Sequence, residues 1–221
     1  MCLFRSLTPR HTGRRSRLLD LRAYASVGQR LLRSVPSATL TPMSQITPEQ
    51  ATCLLTTLFL PTYAKEHPIT KGVITAIPAE KADYRPDSIV KSAIDLAWHI
   101  VAAENRFMEA VVSGAFDFSN STRPEAIRTP SDVVAWYAER FAQNIDRLKA
   151  TPAERLVVPV DFRGIFTFPA VVFLQSGLSH TIHHRGQLST YLRPMGAKVP
   201  SIYGESYDAR VAREQSAARS G

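Results

Sequence analysis

Four stretches of this chain carry apolar residues at three- and four-residue spacing, each bounded by helix start and stop signals, and no series of alternating strands competes with them. The first runs from residue 48 to about 76, with Leu54, Leu58, Val73 and Ile77 among its apolar positions. Bends are expected near Pro61 and Pro68, where the ring removes a backbone donor. Thr47 reads as its cap, Pro48 as the first helical residue, and Gln50 stands three residues after the cap. The second stretch covers roughly residues 88–113, carries Ile94, Ala97, Trp98, Val101 and Phe107, and breaks at Gly114. The third, about residues 132–150, follows Thr129-Pro130-Ser131 and holds Val134, Tyr137, Phe141, Ile145 and Leu148. The fourth takes Thr167 as cap and Pro169 near its first turn, and runs to about Arg193 before Pro194 and Gly196. Residues 157–166, with Pro159 and Gly164, read as an extended or short hairpin-like connection, and residues 208–217 as a short terminal helix. The expected fold class is all-α, an antiparallel four-helix bundle, an architecture in which facing helices can build a metal site in the core.

Residues 1–42 stand apart from this pattern. They hold eight arginines against one acid, Asp20, and end in a Pro/Ser/Thr-rich segment. The composition fits a disordered basic arm, an organelle transit peptide, or an extraneous extension upstream of a true start at Met43. The last is favoured because a good helix start follows Met43 directly. The expected division is therefore a basic extension, 1–42, and a bundle domain, 43–221. Of the net charge of +8, the extension carries most, and the remainder has 19 basic against 18 acidic groups. A near-neutral folded part argues against a nucleic-acid partner. No run of eighteen apolar residues occurs, so no membrane partner is expected. The Arg14-Arg15 pair lacks the apolar stretch that an export signal needs. Cys2 and Cys53 are too few for a disulfide framework, which fits a reducing, cytoplasmic setting. Cys53, within Ala51-Thr52-Cys53-Leu54-Leu55, reads as a small core residue without a basic neighbour to activate it.

The chemistry concentrates in His180-Thr181-Ile182-His183-His184-Arg185-Gly186-Gln187. Side chains at i and i+4 share a helix face, so His180 and His184 can grip one metal ion together. His183 lies about 100° round the helix and reads as exposed or supporting. Arg185 also points away and is expected to pair with an acid or tether the following loop. Gly186 costs about 1 kcal/mol relative to Ala in a helix, which suggests a close approach by another backbone. Gln187 and Tyr191 continue the histidine stripe, with helix packing as their expected role. Thr181 stands where a His-Glu-x-x-His protease needs its glutamate, so that activity is disfavoured. A third ligand must come from another element. His99 is favoured, because it sits in the apolar stretch Leu96-Ala97-Trp98-His99-Ile100-Val101, where an imidazole needs partners for both nitrogens. Asp95 and Glu104 flank it and can orient an imidazole or act as base, although surface or ion-paired roles are the simpler reading.

Leu96-Ala97-Trp98-His99, the segment from His180 to Gln187 with Tyr191 and Gly196 beyond it, and Val199-Pro200-Ser201-Ile202-Tyr203-Gly204 together resemble the DinB superfamily over about residues 43–208. The resemblance implies a four-helix bundle holding a divalent metal ion, such as Zn or Ni, through one histidine of the second helix and two of the fourth. By motif position these are His99, His180 and His184. Some members of the superfamily are S-transferases that use a low-molecular-weight thiol, and others are described as metal-dependent hydrolases, so both reactions stay open. Three imidazoles leave the ion an open position, as a catalytic site needs. The competing reading is a metal-stabilised stress-response or dimerisation module without turnover, which would close that position with a protein ligand. A small-molecule substrate and a homodimer are expected.

Overall fold

The computed structural model describes residues 45–119 and 121–220. The basic extension, 1–42, and the expected start at Met43 lie outside the described residues. The first helical run comprises α1 (Pro48–Cys53), a π-helical segment (Leu54–Phe59) and α2 (Leu60–Thr75). Thr47 and Gln50 form the reciprocal capping box, with Pro48 in the first turn. The π segment abuts Pro61, whose missing N–H cannot take the usual bond, and the N–H of Leu60 reaches back five residues to the Leu55 carbonyl. This wider turn keeps Ala51, Leu55, Phe59 and Tyr63 in line on the buried face. Leu58, expected among the apolar positions, is left 47% exposed. Cys53 is likewise exposed rather than in the core, because Ala51 and Leu55 occupy the inward face on either side of it.

α3 (Ala93–Ser113) starts five residues later than its apolar pattern suggests. Ser92 caps it by accepting from the Asp95 N–H, and the backbones of Ala82 and Tyr84 accept from Ile94 and Ala93. Gly114 closes it with φ of 93°, a left-handed conformation that favours glycine. α4 (Pro130–Lys149) opens on a capping box between Thr129 and Asp132. A short helix, α5 (Ala153–Val157), leads into a hairpin of β1 (Pro159–Phe162) and β2 (Phe166–Pro169), so the connection is a real, if small, antiparallel pair. That hairpin takes Thr167 and Pro169 away from the fourth helix. Thr167 faces Asp161 across the ladder and donates to its carboxylate at 3.3 Å, and Pro169 pairs with Pro159. α6 (Val172–Leu192) therefore begins later than expected and without a side-chain cap. α7 (Tyr207–Ser220) follows the final loop.

The four long helices close a ring of contacts in which α2 meets α4, α4 meets α3, α3 meets α6 and α6 returns to α2. This is the expected all-α bundle, with the two-stranded hairpin as a minor addition. Its core includes Tyr63, Ile74, Ile100, Tyr137, Phe173 and Leu174. The close approach between helices falls at Gly177, not at Gly186. A Cβ at Gly186 would meet nothing within 4 Å, whereas one at Gly177 would lie 2.8 Å from the Tyr63 hydroxyl and 2.9 Å from the Phe107 Cβ. Neither neighbour can yield easily, since the Tyr63 hydroxyl donates to the Leu174 carbonyl at 2.9 Å and a Cβ moves only with its backbone. Gly177→Ala is expected to destabilise the fold by about 1–3 kcal/mol through overpacking, while Gly186→Ala is neutral or stabilising. Urea unfolding midpoints of the two variants check this, and equal midpoints would contradict it.

Candidate metal centre

α3 and α6 pack against each other, and that contact brings together three histidines far apart in sequence. His99 comes from α3, and His180 and His184 from successive turns of α6. One nitrogen from each lies within 4.8 Å of the other two. The ring centroids are 4.8 Å apart for His99 and His180, 4.7 Å for His99 and His184, and 4.5 Å for His180 and His184. The Nε2 atoms of His99 and His180 approach to 3.1 Å. That spacing matches the nitrogen–nitrogen edge of about 3.0–3.4 Å around an ion with bonds of about 2.1 Å.

The electrostatics suit ligation. Burial, followed by the neighbouring His184, lowers the pKa of His99 to about 4. Burial, then His184 and His99, lowers that of His180 to about 3. Both rings are therefore neutral near pH 7, the form whose lone pair can bind a cation. His180 Nδ1 is buried without a hydrogen-bond partner among the described residues, so Nε2 is the only nitrogen of that ring with anything to meet. His184 Nδ1 donates to Gln187 Oε1 at 2.9 Å, which leaves Nε2 as its free lone pair. Gln187 is itself oriented by donating to the Tyr191 hydroxyl at 3.4 Å. The expected packing role thus holds for buried Tyr191, whereas Gln187 fixes the tautomer of a site histidine.

The flanking groups have other employment. His183 is exposed, its ring against the edge of His184. Asp95 accepts from Ser92 and Arg123 and so ties α3 to the following loop, an ion-paired role as expected. Glu104 is buried and accepts from the Tyr137 hydroxyl at 2.5 Å, facing α4 rather than an imidazole, and burial raises its pKa to about 7. Arg185 does both things expected of it, but from a buried position. Its guanidinium pairs with Glu66 Oε2 at 2.6 Å, donates to Thr70 Oγ1 at 3.0 Å, and reaches the Tyr203 hydroxyl at 2.6 Å. Tyr203 in turn donates to Glu66 at 2.9 Å, so this cluster pins the turn of α6 that carries His184 to α2 and to the final loop. Glu66 has a signal in the sequence, because it falls on the buried stripe between Tyr63 and Thr70, where a charged residue demands a partner.

A cavity of about 350 Å³ adjoins the histidines, with His99 and His180 in its wall beside Ala102, Ala103 and several phenylalanines. A larger-scale consequence of the neutral histidines is acid sensitivity of the metal-free protein. His67, stacked on Phe141, is also lowered to about 4, by burial first and Lys71 second. Each of these three folded-state pKa values lies below the unfolded value of about 6.5. Their contribution to stability is therefore fully present above pH 6.5 and is lost as pH falls through about 4 for His99 and His67 and about 3 for His180. Glu104 acts in the opposite sense, losing stability as pH rises through about 7, but it is one group against three. The chelator-treated protein is expected to melt at a lower temperature at pH 5 than at pH 7.5, and an unchanged or higher melting temperature would contradict these assignments.

Comparison with known proteins places the chain in a family. The sequence model of the DinB family matches residues 48–215. The uncharacterized protein YjoA of Bacillus subtilis is 27% identical over 132 residues, covering 58% of this chain and 82% of that protein. The crystal structure of the same DinB-like protein superposes with a TM-score of 0.55 at 22% identity, covering 65% of this chain and 96% of the other. A DinB-like protein from Bacillus cereus gives a TM-score of 0.57, also at 22% identity, over 66% of this chain and 95% of its own. No helix among the described residues is long and apolar enough to cross a membrane.

Proposed function

The chain belongs to the DinB family, and on that premise we propose that His99, His180 and His184 hold one divalent metal ion and that the protein is a metal-dependent enzyme acting on a small molecule, as a thiol S-transferase or a hydrolase. The observation that carries this reading is the convergence of three imidazoles from two helices beside a cavity that two of them line. A purely structural site would be closed by a fourth protein ligand, and no further histidine, cysteine or carboxylate joins the cluster among the described residues. The cavity therefore favours turnover over a stabilising role alone.

When bound, a divalent ion there supplies Lewis acidity, which polarises a substrate carbonyl or holds a thiol as its thiolate. The chain does the rest. Gln187, aligned by Tyr191, keeps the proton of His184 on Nδ1. The Arg185–Glu66 pair, locked by Tyr203, sets the position of the helical turn that carries His184. The phenylalanines around the cavity exclude water from the reacting groups and give a substrate an apolar surface to pack on.

The test is a screen of thiol addition to electrophilic small molecules, and of ester and amide hydrolysis, with the metal-loaded full chain. A turnover that disappears on chelation and in His184→Ala supports the reading. A turnover equally fast in chelator-stripped protein would contradict it.

A further inference from the structure

The cavity beside the histidines is asymmetric in its chemistry. Its floor is aromatic, with Phe107 edge-on to Phe116 at 5.4 Å and stacked with Phe162 at 6.0 Å, and Phe118 against Phe162 at 5.8 Å. Its rim is cationic, formed by Lys91, Arg106 and Arg163, and none of these three is in an ion pair among the described residues. Of the neighbouring carboxylates, Asp117 and Glu109 act on Arg106 through space without pairing with it, and each has a closer partner. Asp117 accepts from the Ser119 N–H, Asp161 from the Gly164 N–H, and Glu109 is paired with Arg140 at 2.7 Å.

The two arginines are placed rather than loose. Arg106 is fixed by donating from Nε to the Asp117 carbonyl at 2.8 Å and from Nη2 to Ser121 at 3.3 Å. Arg163 sits in the hairpin turn at φ of 56°, a strained conformation for a non-glycine residue, and its guanidinium lies 3.8 Å from the centre of the Phe118 ring. Arg106 and Arg163 repel one another, Asp117 and Glu109 offset this only at Arg106, and an anion beside Lys91 and Arg163 would relieve the rest.

We propose that this cavity binds a small molecule with an apolar, aromatic-sized body and a terminal carboxylate. The body packs against the phenylalanines, and the carboxylate is held by Lys91 and Arg163 at the rim, which turns the other end of the molecule toward His99 and His180. The assignment of that molecule as substrate rests on the metal-centre reading above, but the binding itself does not.

The experiment compares 4-phenylbutyrate with 4-phenylbutan-1-ol and 4-phenylbutylamine, titrated calorimetrically into the full chain in zinc-loaded and chelator-stripped forms. Among the described residues the Lys91 and Arg163 side chains make no hydrogen bond or ion pair, so the double variant Lys91→Gln/Arg163→Gln removes the charge at the cost of the Arg163–Phe118 stacking alone, and an unchanged circular dichroism spectrum checks that the fold is kept. The anion is expected to bind about tenfold more tightly than the alcohol, with the amine weakest, and this preference should collapse in the double variant. It should persist in stripped protein. Equal binding of all three molecules, binding by none of them, or a preference unchanged in the double variant would overturn the proposal. A preference that appears only with zinc and ignores the double variant would place the carboxylate on the ion, which overturns the rim while leaving the metal centre standing. A rim-dependent preference in a protein that takes up no metal would support the proposal and remove the metal-centre reading instead.

Discussion

Arg185→Ala is expected to destabilise the fold by about 3–5 kcal/mol, a large share of the roughly 5–15 kcal/mol that holds such a domain together. Arg185 is 1% exposed and Glu66 is 5% exposed. Truncating the arginine strands the Glu66 carboxylate in the interior with only the Tyr203 hydroxyl as donor, and it leaves the Thr70 hydroxyl with its bond to the Glu66 carbonyl but without the guanidinium it accepts from. The cost is that of an uncompensated buried charge, not of one lost contact. The double variant Arg185→Met/Glu66→Leu removes both charges and should recover most of the loss, because well-packed apolar residues often replace a buried ion pair at little cost. Chemical denaturation followed by circular dichroism distinguishes these outcomes. If the double variant is as unstable as the single one, the pair contributes by packing alone and its electrostatic role here is wrong.

The second large effect concerns the ion. A ligand that binds the folded state and not the unfolded one stabilises by about 3–4 kcal/mol when present at a hundred to a thousand times its Kd. For a domain of this size that corresponds to a rise in melting temperature of roughly 5–15 °C on adding zinc to chelator-stripped protein. His99→Ala, His180→Ala and His184→Ala should each abolish the rise, since two imidazoles bind an ion far more weakly than three held around it. His67→Ala supplies the control, because His67 stacks on Phe141 away from the cluster and should leave the zinc response intact whatever it does to basal stability. A rise retained in His99→Ala would exclude the α3 histidine from the site.

Much of the bundle was legible because local signals and tertiary structure agree. The Thr47 capping box, the Thr129 start and the Gly114 stop act within one helical turn, and the structure uses all three. The four-residue spacing of His180 and His184, and the burial of the helix bearing His99, were enough to bring the same three side chains forward. What escaped the sequence depends on long-range pairing. Thr167 and Pro169 look like a helix start until Asp161 and Pro159 are seen opposite them in a ladder. Leu58 looks buried until the π turn before Pro61 rotates the run that carries it, and Cys53 until Ala51 and Leu55 are seen to hold the inward face on either side of it. Gly186 was credited with a close approach that belongs to Gly177, because which glycine meets another helix is decided by the crossing of α6 with its neighbours. Gln187 needed the rotamer of His184, and the cationic rim needed residues from three separate segments brought to one mouth.

The measurement that bears most directly on the three-histidine site is elemental analysis of the purified full chain, with His99→Ala prepared in parallel. One divalent ion per chain in the unmodified protein, and none in the variant at equal folded content, is the predicted result. Metal at the same stoichiometry in both, or none in the unmodified protein even after reconstitution with zinc and nickel, would contradict it.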